Sequence, residues 1–434
     1  MAAKSLAELI KSPKNVDETG LTRGVLIDLA LKCIYFGGYV RGMDMAKTLA
    51  LPFADVTETI IDFLKEEKFV EVRGGADFGK STMEYSLTTR GREKAAEAME
   101  RNTYVGAAPI PFARYVESLP FQGIREVTIT QDQMRQTMGD LIINPRVFSL
   151  LGPAANSGKS AFLFGKPGNG KTSVAERLAK CLGGHVMIPH CVEVDGHIIK
   201  VFDPIVHEPI ESDVDQSDVA AVVRSQGIDH RWIKTKRPFV MVGGELTLEN
   251  LDLIYHQHSK FYEAPFQFKA NCGIFLIDDF GRQQCRPQDL LNRWIVPLEK
   301  RVDFLTLHTG KKIEVPFDQL ILFSTNLEPK DLVDEAFLRR ISFKIGFDSP
   351  TYEEFTKIFE KMCTVKKIDF TEDAVKYIWK RQFDELKFEP RAVHPRDILA
   401  QIESIAKYYA VKPKLSKELI DRACDSYFVK LTTL

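Results

Sequence analysis

Apolar residues recur at helical spacing in LTRGVLIDLALKCIYFG, from Leu21 to Gly37, and again in RGMDMAKTLAL and DVTETIIDFLKEEK. Residues three or four apart share one helix face, so these stretches predict three helices, the third with Val56, Ile60, Ile61, Phe63 and Leu64 turned inward. FVEVRGG and MEYSLT alternate around the turn-rich GGADFGKS and predict a two-stranded ribbon. TTRGREKAAEAMER then returns to helical spacing. Three helices followed by a ribbon is the layout of a winged helix-turn-helix, which we assign to residues 1–105. The proline-punctuated AAPIPFARYVESLP predicts an interdomain linker over 106–123, since proline interrupts the helical hydrogen-bond ladder.

From 124 to 347 short apolar runs alternate with helical stretches, the pattern of an α/β parallel sheet covered on both faces. The remainder, 348–434, reads as helices in TYEEFTKIFEKMC, TEDAVKYIWKRQFDEL, HPRDILAQIESIAKYYAV and SKELIDRACDSYFVKL, and is assigned as a helical lid. Composition agrees: 434 residues exceed one small core, and 44% hydrophobic with 27% charged residues is a globular balance. Lys plus Arg (59) nearly equals Asp plus Glu (60), so no global field draws the chain to nucleic acid or anionic lipid. No apolar run reaches the roughly 18 residues of a membrane span, and the N-terminus lacks a signal-type apolar stretch; a cytoplasmic protein without membrane insertion is expected. Seven scattered cysteines with no C-x-x-C pair read as free thiols.

The chemistry begins at GKPGNGKTS, comprising Gly165, Lys166, Pro167, Gly168, Asn169, Gly170, Lys171, Thr172 and Ser173. A triphosphate needs a loop whose backbone N–H groups all point inward, which the three glycines permit. It also needs a cation on the outer phosphates, Lys171, and a hydroxyl on Mg²⁺, Thr172. An apolar strand, Ala161 to Phe164, enters the loop, and the following residues open a helix whose N-terminus attracts anions. GPAANSGKS, from Gly152 to Ser160, also ends in Gly-Lys-Ser. It has one residue too many between its glycines and runs into a strand, so it is not the phosphate loop.

GIFLIDDFG supplies a second element. Ile274 to Ile277 is an apolar strand, Asp278 at its end is placed to complete the metal shell, and Asp279 to polarise the attacking water. QLILFSTN ends a further strand on Asn326, whose neutral amide can position that water. DEAFLRRISFKI brings Arg339 and Arg340 to the end of a short helix, where a guanidinium can neutralise charge growing on the γ-phosphate.

On these residues the chain resembles the AAA+ superfamily of ATPases over about 124–410. GKPGNGKT, LIDD, Asn326 at the sensor-1 position, the LRR run and HPRD follow in order, and Arg396 matches a sensor-2 arginine. LLNRWIVPLEKR followed by TGKKIEVPFDQLILFSTN is most similar to MoxR-like members. The whole layout resembles bacterial ATPases described as having chaperone activity and linked with Flp pilus assembly. The resemblance implies ATP and Mg²⁺ as cofactors, fingers that act in a neighbouring subunit, a homo-oligomeric ring, usually hexameric, and ATP-driven remodelling of a protein partner.

Two features depart from that family. The second acid is Asp279 where Glu is usual, setting its carboxylate about 1 Å back and making slow hydrolysis an alternative expectation. The gap between Lys171 and Asp278 is long, and HVMIPHCVEVDGHIIKVFDPIVHEP reads as an inserted hairpin near 185–209, suited to a partner or to structure alone. The third helix of the front domain carries Asp55, Glu58, Asp62, Glu66 and Glu67 against Lys65 and Lys68, and the ribbon adds only Arg73 and Lys80, which favours protein over DNA and leaves a winged-helix DNA-directed ATPase or regulator as the alternative. His256 and His258 in YHQHSK lack a carboxylate cluster and read as solvated or capping residues, and FYEAPFQF as a loop packed on the core.

Overall fold

The computed structural model describes residues 5–73, 79–210, 227–332 and 335–428. Its first unit holds the helices Arg23–Gly37, Gly42–Leu49 and Glu58–Glu66, the antiparallel strands Val70–Val72 and Glu84–Leu87, and the helix Thr89–Arg101. Part of the GGADFGKS turn, 74–78, lies outside the described residues. Two local details depart from the periodicity. Val40–Arg41 adds a third short strand beside Glu84–Leu87. Asp55 takes a left-handed φ of 65°, so regular helix starts only at Glu58. Val56, Ile60, Ile61 and Leu64 are buried against Leu26, Leu29 and Tyr85, while Phe63 is half-buried.

Residues 106–123 are folded into the body and are not a linker. Ile110–Pro111 pairs with Cys191–Val194, and Phe112–Ser118 is a helix with Tyr115 buried and Leu119 buried just beyond it. Ile110–Pro111 is the edge of its sheet, where a missing N–H breaks no ladder bond. Burial of the aromatic and aliphatic side chains that follow outweighs the proline signal.

The main sheet is parallel and runs Phe239–Val242, Ile274–Ile277, Leu320–Thr325, Ser160–Phe164, Phe343–Gly346 across its width. Every residue of Ile274–Ile277 and Leu320–Thr325 is buried, as a sheet covered on both faces requires. One face packs Leu163, Leu276 and Leu322 against the helices Pro145–Ser157 and Lys171–Leu182. The other packs Phe162, Phe275 and Phe323 around Trp294. This is a parallel α/β sheet of the P-loop kind, with the strand that enters the glycine loop between Leu320–Thr325 and Phe343–Gly346. Gly152 to Ser157 lie in a helix that Gly158 ends at φ 58°, so the second Gly-Lys-Ser forms no cradle.

The long gap after Lys171 builds a second, mixed sheet. Cys191–Val194 and His197–Lys200 form the expected hairpin through Asp195 and Gly196, both at positive φ. The hairpin does not stand alone: His197–Lys200 pairs onward with Phe261–Glu263, which pairs with Ile254–His256. Val192, Ile199, Tyr262 and Phe268 share one core. The FYEAPFQF tract is therefore a strand and the short helix Phe266–Lys269, with Tyr262 and Phe268 buried. His256 ends a strand and His258 lies in the turn that follows, both exposed.

The C-terminal helices are Tyr352–Lys366, Glu372–Ile378 continued irregularly to Glu385, His394–Tyr408 and Lys417–Tyr427. They enclose their own core around Phe355, Phe359, Ile398 and Ile402. All seven cysteines are free thiols. Among the described residues no helix is long and apolar enough to cross a membrane.

Candidate nucleotide site

The strand Ser160–Phe164 turns at Gly165 into the loop, and Lys171–Leu182 leaves it as a helix. Gly165, Gly168 and Gly170 have φ of 134°, 81° and 86°, values that L side chains rarely adopt. At Gly165 a Cβ would lie 2.3 Å from the Phe347 carbonyl oxygen. The cradle therefore depends on bare backbone in a strand-loop-helix setting that suits phosphate.

Lys171 is buried, and its amine donates to the carbonyls of Gly165 (2.8 Å) and Lys166 (3.1 Å) and to Asn326 Oδ1 (2.9 Å). Burial pulls its pKa down, opposed by the charges of Asp278 and Asp279. Thr172 Oγ1 donates to Asp278 Oδ2 at 2.9 Å, so the hydroxyl and carboxylate suited to a divalent cation already face each other. Asn326 Nδ2 donates to Asp279 Oδ1 at 2.7 Å. Asn326 thus accepts from Lys171 and donates to Asp279, two roles that one neutral amide can combine. The strand order brings this about, because Leu320–Thr325 lies between the loop strand and the acidic strand.

Asp279 has a left-handed φ of 48°. Its turn is braced by Gln283, whose Nε2 donates to the carbonyls of Asp278 (3.0 Å) and Asp279 (3.3 Å) while Oε1 accepts from Gly281 N (2.8 Å). Gln283 was not indicated by any spacing rule.

Around these groups opens a cavity of about 690 Å³, a size that suits a small-molecule ligand. It is lined by the loop, Asp278, Asp279 and Asn326, and also by apolar residues, among them Ile142, Ile143, Val147, Ile358 and Met362. These apolar residues come from the segment before Pro145–Ser157, the start of that helix and the lid helix Tyr352–Lys366, which no local pattern connects. Arg396 lines the cavity from the start of His394–Tyr408, mostly exposed, with Nε on Asp397 Oδ1 at 2.8 Å.

Arg339 and Arg340 do not line it. They follow the short helix Glu335–Leu338; Arg339 is exposed, and Arg340 Nε donates to Glu299 Oε1 at 2.5 Å.

A family model described as a domain of unknown function (DUF8689) matches residues 351–426, the helical lid. No curated protein matches. Among solved structures, the RuvB Holliday junction branch migration motor of Thermotoga maritima is similar at 14% identity and a TM-score of 0.33, over 69% of this chain and 70% of that one. NtrX from Brucella abortus is similar at 14% identity and a TM-score of 0.39, over 79% of this chain and 62% of that one. The chain's own strand order and loop geometry define its fold.

Within that fold the two adjacent acids face different neighbours. Asp278 faces Thr172, whereas Asp279 is turned to Asn326. The donor set of one hydroxyl and one carboxylate fits Mg²⁺, which is bound through one or two carboxylates together with substrate phosphates.

Proposed function

We propose that this protein hydrolyses ATP and couples the reaction, across the subunit interfaces of a homo-oligomeric ring, to remodelling of a protein partner. The observation that supports it most is the hydrogen-bonded chain from Lys171 through Asn326 to Asp279, beside the Thr172–Asp278 pair and over a glycine cradle. In this reading the loop from Gly165 to Ser173 holds the phosphates, Lys171 contributes its charge to the outer ones, and Thr172 and Asp278 hold Mg²⁺. The cation, when bound, neutralises phosphate charge. Asp279 takes the proton of the attacking water, Asn326 orients that water, and Arg396 contacts nucleotide in the same subunit. Arg339 and Arg340 serve the neighbouring subunit, supported by their position away from their own cavity. The MoxR-like layout and the acidic helix Glu58–Glu66 favour a protein partner over DNA.

Lys171→Ala is expected to abolish ATP binding. The double variant Arg339→Ala with Arg340→Ala is expected to bind ATP with near-native affinity and to lose turnover by 10³-fold or more. Native turnover in the double variant would refute the assignment in trans.

Asp279 favours a second reading, a slow nucleotide-gated switch. Its carboxylate is a methylene shorter than Glu and is bonded to Asn326. Steady-state kcat of Asp279→Glu separates the two: a tenfold gain marks a slow switch, and a loss marks a site tuned around Asp.

A further inference from the structure

The phosphate loop has a second set of partners that nucleotide chemistry does not require. Three of its residues touch the lid. Val393 N donates to the Gly168 carbonyl at 2.9 Å, and Ala392 N donates to Asn169 Oδ1 at 3.2 Å. At the loop's outer side Lys166 and Glu389 form an exposed ion pair at 3.7 Å. A Cβ on Gly168 would lie 2.7 Å from Val393 Cγ1, so lid and loop are in van der Waals contact there.

Asn169 is the residue of this group that reaches both ways. It is only 8% exposed, between two glycines at positive φ. Its Nδ2 donates to the carbonyl of Phe347 at 3.3 Å, and the Phe347 N–H donates to the Phe164 carbonyl at 2.7 Å. Phe347 directly follows the strand Phe343–Gly346, at the point where the chain leaves the sheet for the lid. One side-chain amide therefore joins the phosphate loop, the exit of the last core strand and the lid turn Arg391–His394. That turn is itself held by His394 Nδ1, which accepts from Arg391 N at 3.2 Å, and it leads directly to Arg396 at the cavity.

We infer that Asn169 is a positioning residue that ties the angle of the lid to the shape of the phosphate cradle. Rotation of the lid away from the core must break the bonds from Ala392 and Val393 or drag Gly168 and Asn169 with them. Either outcome changes the N–H groups on which phosphate would sit. The inference rests on the ATPase reading for its functional consequence, but its structural part holds in the unliganded chain.

The test uses the full chain. Backbone hydrogen exchange is measured without nucleotide for wild type, Asn169→Ala, Asn169→Asp and Glu389→Ala, and ATP affinity and steady-state KM and kcat are measured for wild type and Asn169→Ala. Asn169→Ala should raise exchange at 391–394 by about tenfold and weaken ATP binding and raise KM by a similar factor, leaving exchange in Ser160–Phe164 and Phe343–Gly346 as in wild type. Asn169→Asp keeps the acceptor for Ala392 and should restore protection of the turn. Glu389→Ala, which removes the exposed ion pair with Lys166 and the exposed hydrogen bond from Ser349 Oγ (3.2 Å), should leave exchange at 391–394 and ATPase activity unchanged. Unchanged exchange at 391–394 in Asn169→Ala overturns the inference, as does a rise spread through the parallel sheet, which would mark a packing role only. Failure of the wild type to bind ATP would refute the ATPase reading and leave the exchange comparison to decide the clamp.

Discussion

His394 illustrates how one buried residue makes the lid sensitive to acid. Its ring stacks on Phe383 and is 5% exposed, and burial, aided by the Arg391 charge, holds its pKa down from 6.5 to about 4. The unfolded imidazole therefore takes up a proton below about 6.5 while the folded one does so only below about 4. Stability is lost as pH falls through that window, by up to about 3 kcal/mol. Thermal unfolding followed from pH 7 to 4.5 should show a steeper fall for wild type than for His394→Gln, which keeps an acceptor for Arg391 N but does not titrate. At this scale the sequence was informative wherever identity alone limits chemistry: Lys171, Thr172, Asp278 and Asn326 lie together as their motifs imply. It was silent on Gln283 and on the bonds of Asn169 to the lid and to Phe347, because side-chain amides bond to whatever the fold brings near and no spacing encodes the partner.

The loop and its strands show a different dependence at the scale of elements. Gly165 and Gly170 are both at positive φ, yet only Gly165 is pressed against backbone, with the Phe347 carbonyl 2.3 Å from a Cβ; at Gly170 nothing lies within 4 Å. Gly165→Ala should lower stability by about 3 kcal/mol or more, since the strand exit must shift. Gly170→Ala should cost only the backbone strain, about 1–2 kcal/mol. Urea unfolding of the two variants beside wild type measures the difference. The strands Ile274–Ile277 and Leu320–Thr325 were legible because uninterrupted apolar runs suit a sheet buried on both faces. The supposed linker was not: its prolines signal a break, but Ile110–Pro111 is stabilised by pairing with a strand far along the chain. The left-handed Asp55 likewise interrupts a periodic stretch that reads as one helix.

For the molecule as a whole, a fully buried pair, Arg231 and Asp229, fastens distant segments together. Arg231 donates to both Asp229 oxygens and, through Nη1, to the carbonyls of Thr19 (3.0 Å) and Pro109 (3.1 Å). Arg231→Ala would leave the Asp229 carboxylate buried without its counter-charge and should cost about 3–5 kcal/mol. It should also speed proteolytic cleavage before residue 22, whereas Arg231→Ala with Asp229→Ala should be milder in stability; limited proteolysis and calorimetry report the two effects. The sequence alone determined the parallel sheet, the phosphate loop and the helical lid, because each is written in local periodicity or in a contiguous motif. It also separated the true loop from its imitation, since only one is followed by a helix. Tertiary structure alone decided that Asn326 lies between Lys171 and Asp279, that Arg339 and Arg340 stay outside their own cavity, that the inserted hairpin is part of a larger sheet, and that the lid rests on Gly168 and Asn169. Each of these depends on which strands are neighbours and which loops meet, a property of long-range burial that no window of residues contains.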